Sequence, residues 1–180
     1  MKIVAFAGSS SSTSINKRLV TYAANLFEHK QLEILDLNDY ELPLFSVDKE
    51  KELGKPEIAR TFLDKIHGAD ILVISLAEHN SAFSSAFKNI YDWASRQDTN
   101  VFGKVPLLLM ATSPSKRGGH DVLEVAKISL PPYGGNIKAV FSLPSFPDNF
   151  DKEAGKISNK EYDDALKEII RNFDYGKEPS

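Results

Sequence analysis

The sequence predicts a three-layer α/β sandwich, a five-stranded parallel sheet with helices on both faces. Three observations carry this expectation. Five apolar runs of strand type alternate strictly with five stretches of helical spacing. One of those runs, Ile71-Leu72-Val73-Ile74, is apolar at every position, as a strand buried on both faces must be. Loops rich in Ser, Asn and Gly follow the first, third and fourth runs, where open parallel sheets collect their ligands.

The elements follow in order. Ile3 to Ala7 is the first strand. Ile15, Leu19, Ala23, Leu26 and Phe27 then mark one apolar helical face. Leu32 to Leu37 reads as the second strand, and Asn38 to Gly54 as a polar loop holding Leu42-Pro43-Leu44-Phe45. Pro56 suits the first turn of a helix whose buried stripe is Ile58, Phe62, Leu63 and Ile66. After Ile71–Ile74, the positions Ala86, Phe87, Ile90, Tyr91 and Ala94 form the next stripe. Val105 to Met110 is the fourth strand, with Pro106 near its start, where proline is tolerated. Val122 to Leu130 is a short helix stopped by Pro131-Pro132, and Asn136 to Phe141 is the fifth strand. Tyr162, Ala165, Leu166, Ile169, Ile170 and Phe173 give the last helix, entered through a capping box of Ser158 and Glu161. Right-handed crossovers leave few topologies, and the flavodoxin-like order 2-1-3-4-5 is the one expected. Residues 1–180 read as a single domain.

Composition narrows the function classes. Hydrophobic residues make up 42% and charged residues 26% of the 180, which is ordinary globular usage. A net charge of −3, with no Lys/Arg block, leaves no footprint for nucleic acid. No cysteine is present, which excludes disulfides, iron–sulfur clusters, thiolate zinc and a Cys nucleophile. His29, His67 and His120 lack metal-ligand spacing. No apolar run approaches spanning length, so a cytoplasmic chain away from membranes is expected.

Three loops should hold the chemistry. Gly8 opens the first, and every residue from Ser9 to Ser14 carries a hydroxyl. Ser14 is a helix N-cap candidate, so Ile15 and Asn16 begin a turn with free N–H groups. Hydroxyls, free N–H groups and the positive dipole end together suit a phosphate. The loop is neither a Walker A motif nor GxGxxG, and a flexible Ser-rich loop is the plain alternative. The second loop, Ala77 to Phe83, places Glu78, His79, Asn80 and Ser81 beyond the most apolar strand. There Asn80 and backbone groups could hydrogen-bond a planar heterocycle, or simply turn the chain while Ser84 or Ser85 starts a helix. The third, Thr112 to Gly119, offers Ser113 and Lys116, and Gly118-Gly119 would let backbone approach a ligand. An ordinary turn is its alternative reading.

These residues resemble the NADPH-dependent FMN reductase family, which includes bacterial quinone and chromate reductases. Gly8, Ser9, Ser14 and Asn16 match its first motif. Glu78, Asn80, Ala86, Lys88, Asn89, Asp92 and Trp93 match the second, and Ser113, Pro114, Gly118 and Gly119 the third. The resemblance runs from Lys2 to about Phe141. It implies FMN as cofactor, NADPH or NADH as reductant, a small-molecule electron acceptor, and a homodimer or homotetramer. It further implies that Ser9, Ser14 and Asn16 bind the FMN phosphate, that Glu78, His79, Asn80 and Ser81 line the isoalloxazine, and that Ser113, Gly118 and Gly119 approach from the other side. The family's phosphate-loop Arg is Ser11 here. Losing a charged donor costs about 1.5–3 kcal/mol, roughly one to two decades of affinity. Lys17, in the first helical turn, is the candidate replacement.

A flavin reductase needs little acid–base machinery of its own, because the cofactor carries the redox chemistry. No general base is therefore assigned. Lys116 and Arg117 are candidates for the 2′-phosphate of NADPH, or else solvated loop cations. A ping-pong reductase is the primary expectation. A flavodoxin-type electron carrier and a flavin-free interaction protein of the same fold are the alternatives.

Overall fold

The computed structural model describes residues 1–28 and 31–175, so His29 lies outside the described residues. Five strands form one parallel sheet: β1 (Lys2–Gly8), β2 (Gln31–Leu35), β3 (Ile71–Leu76), β6 (Pro106–Thr112) and β7 (Asn136–Leu143). Their order is β2-β1-β3-β6-β7, which is the expected 2-1-3-4-5 arrangement once two small hairpins are set aside.

Every residue of β3 is buried, as its unbroken apolar run predicts. Alternation along the strands splits the core in two. Val4, Phe6, Leu72, Ile74, Leu107 and Leu109 face helices α3 (Glu57–His67), α4 (Ser85–Ser95) and α5 (His120–Ser129). Ile3, Ala5, Ile71, Val73, Leu108 and Met110 face α1 (Ile15–Leu26) and α7 (Lys160–Arg171). Side chains alternate faces with period two, so neighbouring residues of one strand serve different helices. The charge-rich C-terminal helix docks through Leu166 and Ile170, and the Tyr22 hydroxyl donates to Asp163 across the α1–α7 contact.

Several local expectations need correction. The cap of α7 is Asn159, whose side chain accepts from the Glu161 N–H; Ser158 is not its cap, and the Ser158/Glu161 box does not form. The second strand ends at Leu35, and Leu37–Tyr40 turns into a 3₁₀ helix started by Asp36, which accepts from Asn38 N. A short helix α2 (Val47–Leu53), capped by Ser46, occupies the stretch read as polar loop. Two hairpins, β4 (Glu78–His79) with β5 (Ala82–Phe83) and β8 (Phe150–Asp151) with β9 (Lys156–Ile157), and a short α6 (Phe146–Asn149) were not expected. Two-residue strands carry too little pattern for period-two reasoning.

Strand β2 is the edge beside β1. Its Glu33 takes Lys65 at 2.5 Å and Lys2 at 3.4 Å. The hydrogen bond from Lys65 is the main reason the Glu33 carboxyl lies below the usual carboxylate range, and it outweighs desolvation. A depressed acid stabilises above its unfolded pKa, and the contribution disappears as pH falls through the folded value. Glu33→Gln should therefore lower stability in urea by about 0.5–1 kcal/mol at pH 7. The difference from the parent should shrink as pH falls through the folded pKa of Glu33. A deficit that does not change with pH would show that the charge is not what matters.

Candidate active site

The topology fixes where to look. From β1 the chain crosses to β2 on one side, whereas β3 leads to β6 on the other, so a crevice opens beyond the carboxyl ends of β1 and β3. A cleft of about 260 Å³ lies there, walled by the loop after β1, by Ala77, Glu78 and His79, and by Thr112, Ser113 and Pro114. It gathers Ser9, Ser11, Ser14, Ile15, Asn16, Glu78, His79 and Ser113 from the expected site. Asn80, Ser81, Lys116, Gly118 and Gly119 do not line it. A larger groove of about 640 Å³ lies between Asn100 and Asn136, near the amino end of β7, and no expected site residue reaches it.

The first loop is organised by its own hydroxyls. Ser9 Oγ accepts from Ser11 N at 3.2 Å, and Ser11 O accepts from Ser14 N at 3.1 Å. Ser14 caps α1 through Lys17 N at 3.2 Å, as expected. The first-turn N–H groups of Ile15 and Asn16 then have no helical acceptor, and no acidic residue stands in that turn. The Lys17 ammonium does not serve the loop. It is paired with Asp36, so this end of the cleft consists of neutral donors.

Asn16 is placed differently from its implied role. It is only 3% exposed, and its side chain makes three hydrogen bonds inside the fold. Its Oδ1 accepts from Ser75 Oγ at 2.7 Å and from Thr112 N at 3.0 Å, while its Nδ2 donates to Thr112 O at 3.2 Å. One amide thus joins the start of α1 to β3 and to the end of β6. The Thr112 hydroxyl extends the network to Leu143 O at 2.6 Å. Its backbone N–H, in the first helical turn, is open to an anion. Ser75 and Thr112 were missed by sequence reasoning. The available signal was one hydroxyl, Ser75, directly after the apolar run Ile71–Ile74.

The second and third loops are tied to each other. Asn80 and Ser81, at φ 52° and 60°, form the two-residue turn of the β4–β5 hairpin, where positive φ at both positions matches strand twist. Helix α5 has Gly119 at its cap position, which brings no side chain. The Glu78 carboxylate supplies the missing acceptor, taking Val122 N at 2.9 Å. Ser81 Oγ donates to Asp121 at 2.8 Å, and Arg117 pairs with the same carboxylate. The Ser81 hydroxyl, ahead of Arg117, holds the Asp121 carboxyl below the usual range. His79 is exposed on the hairpin, at the cleft wall.

The two glycines of the third loop face the sheet. A Cβ on Gly118 would overlap Ser142 Oγ and sit 2.9 Å from Pro144 N, and one on Gly119 would sit 2.7 Å from the Ala111 Cβ. Both have φ values, 58° and 79°, that L side chains rarely adopt. They bring the loop close to β6 and β7, and close approach to a ligand is not what requires them. Asn89 and Trp93 also serve packing. Asn89 accepts from Phe45 N at 2.8 Å, and Trp93 Nε1 donates to Pro43 O at 2.8 Å, fixing the Leu42–Phe45 segment.

Removing the Asn16 amide strands buried partners on Ser75 and Thr112. Each stranded group costs about 1–3 kcal/mol, so Asn16→Ala should lose about 3 kcal/mol in urea unfolding. Ser75→Ala, which leaves Asn16 two of its three bonds, should lose about 1 kcal/mol. A loss below 0.5 kcal/mol for Asn16→Ala would contradict the bridging role.

Comparison with known proteins now places the chain. Residues 1–146 match the family described as NADPH-dependent FMN reductase. An NADPH:quinone oxidoreductase of Arabidopsis thaliana is 29% identical over 178 residues, covering 94% of this chain and 88% of its own. A 2-hydroxy-1,4-benzoquinone reductase of Burkholderia sp is 35% identical over 115 residues, 63% of this chain and 61% of its own. Among solved structures, the flavoenzyme NAD(P)H:(acceptor) oxidoreductase FerB of Paracoccus denitrificans superposes with a TM-score of 0.75 at 22% identity, covering 96% and 94% of the two chains. That likeness establishes the flavodoxin-like fold. The crevice at the strand ends, the hydroxyl loop that opens it and the family match over most of the chain agree: this chain belongs to the NADPH-dependent FMN reductase family.

Proposed function

We propose that the chain is an NAD(P)H-dependent FMN reductase that passes electrons to a quinone, a free flavin or a similar small acceptor by a ping-pong scheme. One observation carries the reading: the cleft at the start of α1 presents hydroxyls and free first-turn N–H groups with no acid in that turn. That donor set fits the phosphate of FMN. Bound FMN would supply the redox chemistry, taking a hydride equivalent from the nicotinamide and releasing two electrons to the acceptor.

The protein's share is binding and orientation. Ser9, Ser11 and Ser14 hydroxyls, with the N–H groups of Ile15 and Asn16, hold the phosphate. Glu78 and His79 form the hairpin wall along the flavin ring, and Asn80 and Ser81 turn the hairpin beyond it. Ser113 stands opposite, on a loop whose height is set by Gly118 and Gly119. The Glu78 carboxylate accepts from Val122 N, which fixes its place in the wall. A positioned nicotinamide needs its donor carbon about 3–3.5 Å from the accepting atom, which a rigid wall supports better than a mobile loop.

Titration with FMN, followed by visible absorbance, should saturate. Anaerobic NADPH should then bleach the bound flavin, and a quinone should restore its colour. Binding without bleaching would replace this reading with an electron carrier. Absence of binding would remove flavin chemistry altogether. Ser11→Arg adds a cation to a neutral subsite and should tighten FMN binding about tenfold or more, the gain of one charged hydrogen bond. The same variant should leave riboflavin affinity unchanged. Equal changes for both flavins would place the phosphate elsewhere.

A further inference from the structure

We propose that His79 is a catalytic residue, a general acid that protonates the acceptor quinone as it is reduced. The inference rests on the reductase reading above and concerns how the acceptor receives its protons. Turning a quinone into a hydroquinone takes two electrons and two protons. The nicotinamide, by way of bound FMN, delivers one hydride equivalent, which is two electrons and one proton. The second proton has to enter from water, directly or through a side chain beside the acceptor.

The cleft holds one side chain suited to that task. Its lining residues other than Glu78 and His79 are Ser, Thr, Asn, Ala, Ile and Pro, none of which exchanges a proton near neutral pH. Glu78 accepts from Val122 N at 2.9 Å, and an ionised carboxylate has no proton to give. Imidazole is the side chain that both carries and releases a proton in this range. His67 Nε2 lies 2.9 Å from Asn100 O, and His120 opens α5 without lining the cleft.

The hairpin register fixes which way His79 faces. Glu78 is opposite Phe83, and His79 is opposite Ala82. Residues directly opposite share a face, and neighbours along a strand take different faces. The Glu78–Phe83 face is turned to the helices. The Phe83 ring stands 5.0 Å from that of Phe87 on α4, and Glu78 reaches α5. His79 and Ala82 therefore share the other face, and both are exposed. On that face His79 lines the cleft. Its backbone is fixed on either side, by Glu78 on Val122 N and by Ser81 Oγ on Asp121 at 2.8 Å. Of the charged groups near the hairpin besides Glu78, Arg117 and Asp121 pair with each other. Lys116, Arg117, His120 and Asp121 all lie outside the cleft lining.

The step balances. As the electrons reach the quinone, negative charge develops on a carbonyl oxygen. An imidazolium N–H bond breaks, and its electron pair stays on the ring nitrogen. A lone pair of that oxygen takes the proton as one hydroquinone O–H, and the hydride equivalent supplies the other. Solvent returns a proton to the neutral imidazole before the next turnover.

The test compares kcat/KM for 1,4-benzoquinone and for ferricyanide, each with NADPH, in FMN-loaded wild type and His79→Gln. Ferricyanide takes electrons singly and no proton. In His79→Gln the quinone value should fall about a hundredfold more than the ferricyanide value, the scale of general acid catalysis. NMR of the FMN-free and FMN-loaded wild type follows the His79 Cε1–H signal, the one missing from His79→Gln, against pH. The acid form is the donor, so quinone reduction should fall as pH rises through that midpoint in the loaded protein. Added imidazole should restore quinone reduction to His79→Ala. Equal losses for both acceptors would make His79 a part of the wall only and overturn the assignment. A quinone pH limb that survives in His79→Gln overturns it too. A wild type whose bound flavin NADPH does not bleach overturns the reductase reading itself, a result distinct from either.

Discussion

The bridge made by Asn16 is the contact on which the rest of the site depends. The crevice lies beyond the carboxyl ends of β1 and β3, where the connections diverge, and the loops around it must be held in place to form a cleft. Here one buried amide, 3% exposed, satisfies Ser75 on β3 and both backbone groups of Thr112 on β6 while anchoring the first turn of α1. A buried amide left without these partners would be costly, so the network is satisfied as a unit or fails as one. The donors of the first loop stand where they do because Asn16, behind them, is fixed to β3 and β6.

The same logic runs through the other loops. Gly119 is needed at the start of α5 because a Cβ would meet Ala111, but a glycine cap has no side chain to offer the helix N–H groups. Glu78 supplies that acceptor from the neighbouring loop, which ties hairpin and helix together. Ser81 and Asp121 add a second tie. Residues that resemble flavin-lining positions are therefore also the fasteners of the walls. The end of the cleft at the start of α1 holds only neutral donors, since Asp36 takes the Lys17 ammonium.

The sheet and its helices were legible because their signals are long. The stripes of α3 and α7 each repeat a period over three turns or so, and Ile71–Ile74 is apolar without a break. The second strand was overrun by two residues, because Leu37 is apolar yet buried in a 3₁₀ turn. The capping box at Ser158 failed because Asn159, one residue later, caps equally well and does so in the structure. Residue types at the site were legible, but their directions were not. Asn16 and the two glycines face inward toward the strands, and nothing in the spacing of a loop tells which way an amide or a Cβ points. Lys17 lost its expected role to Asp36, nineteen residues away and brought near only by the sheet order.

The account stands on a division of labour in the first loop: backbone N–H and hydroxyl groups for the ligand, the Asn16 amide for the fold. A crystal structure of the protein with FMN tests it most directly. The account predicts the phosphate within hydrogen-bond distance of the Ser9–Asn16 backbone and hydroxyls, with the Asn16 amide still on Ser75 and Thr112. A phosphate bound to the Asn16 side chain, or seated away from the start of α1, would contradict it.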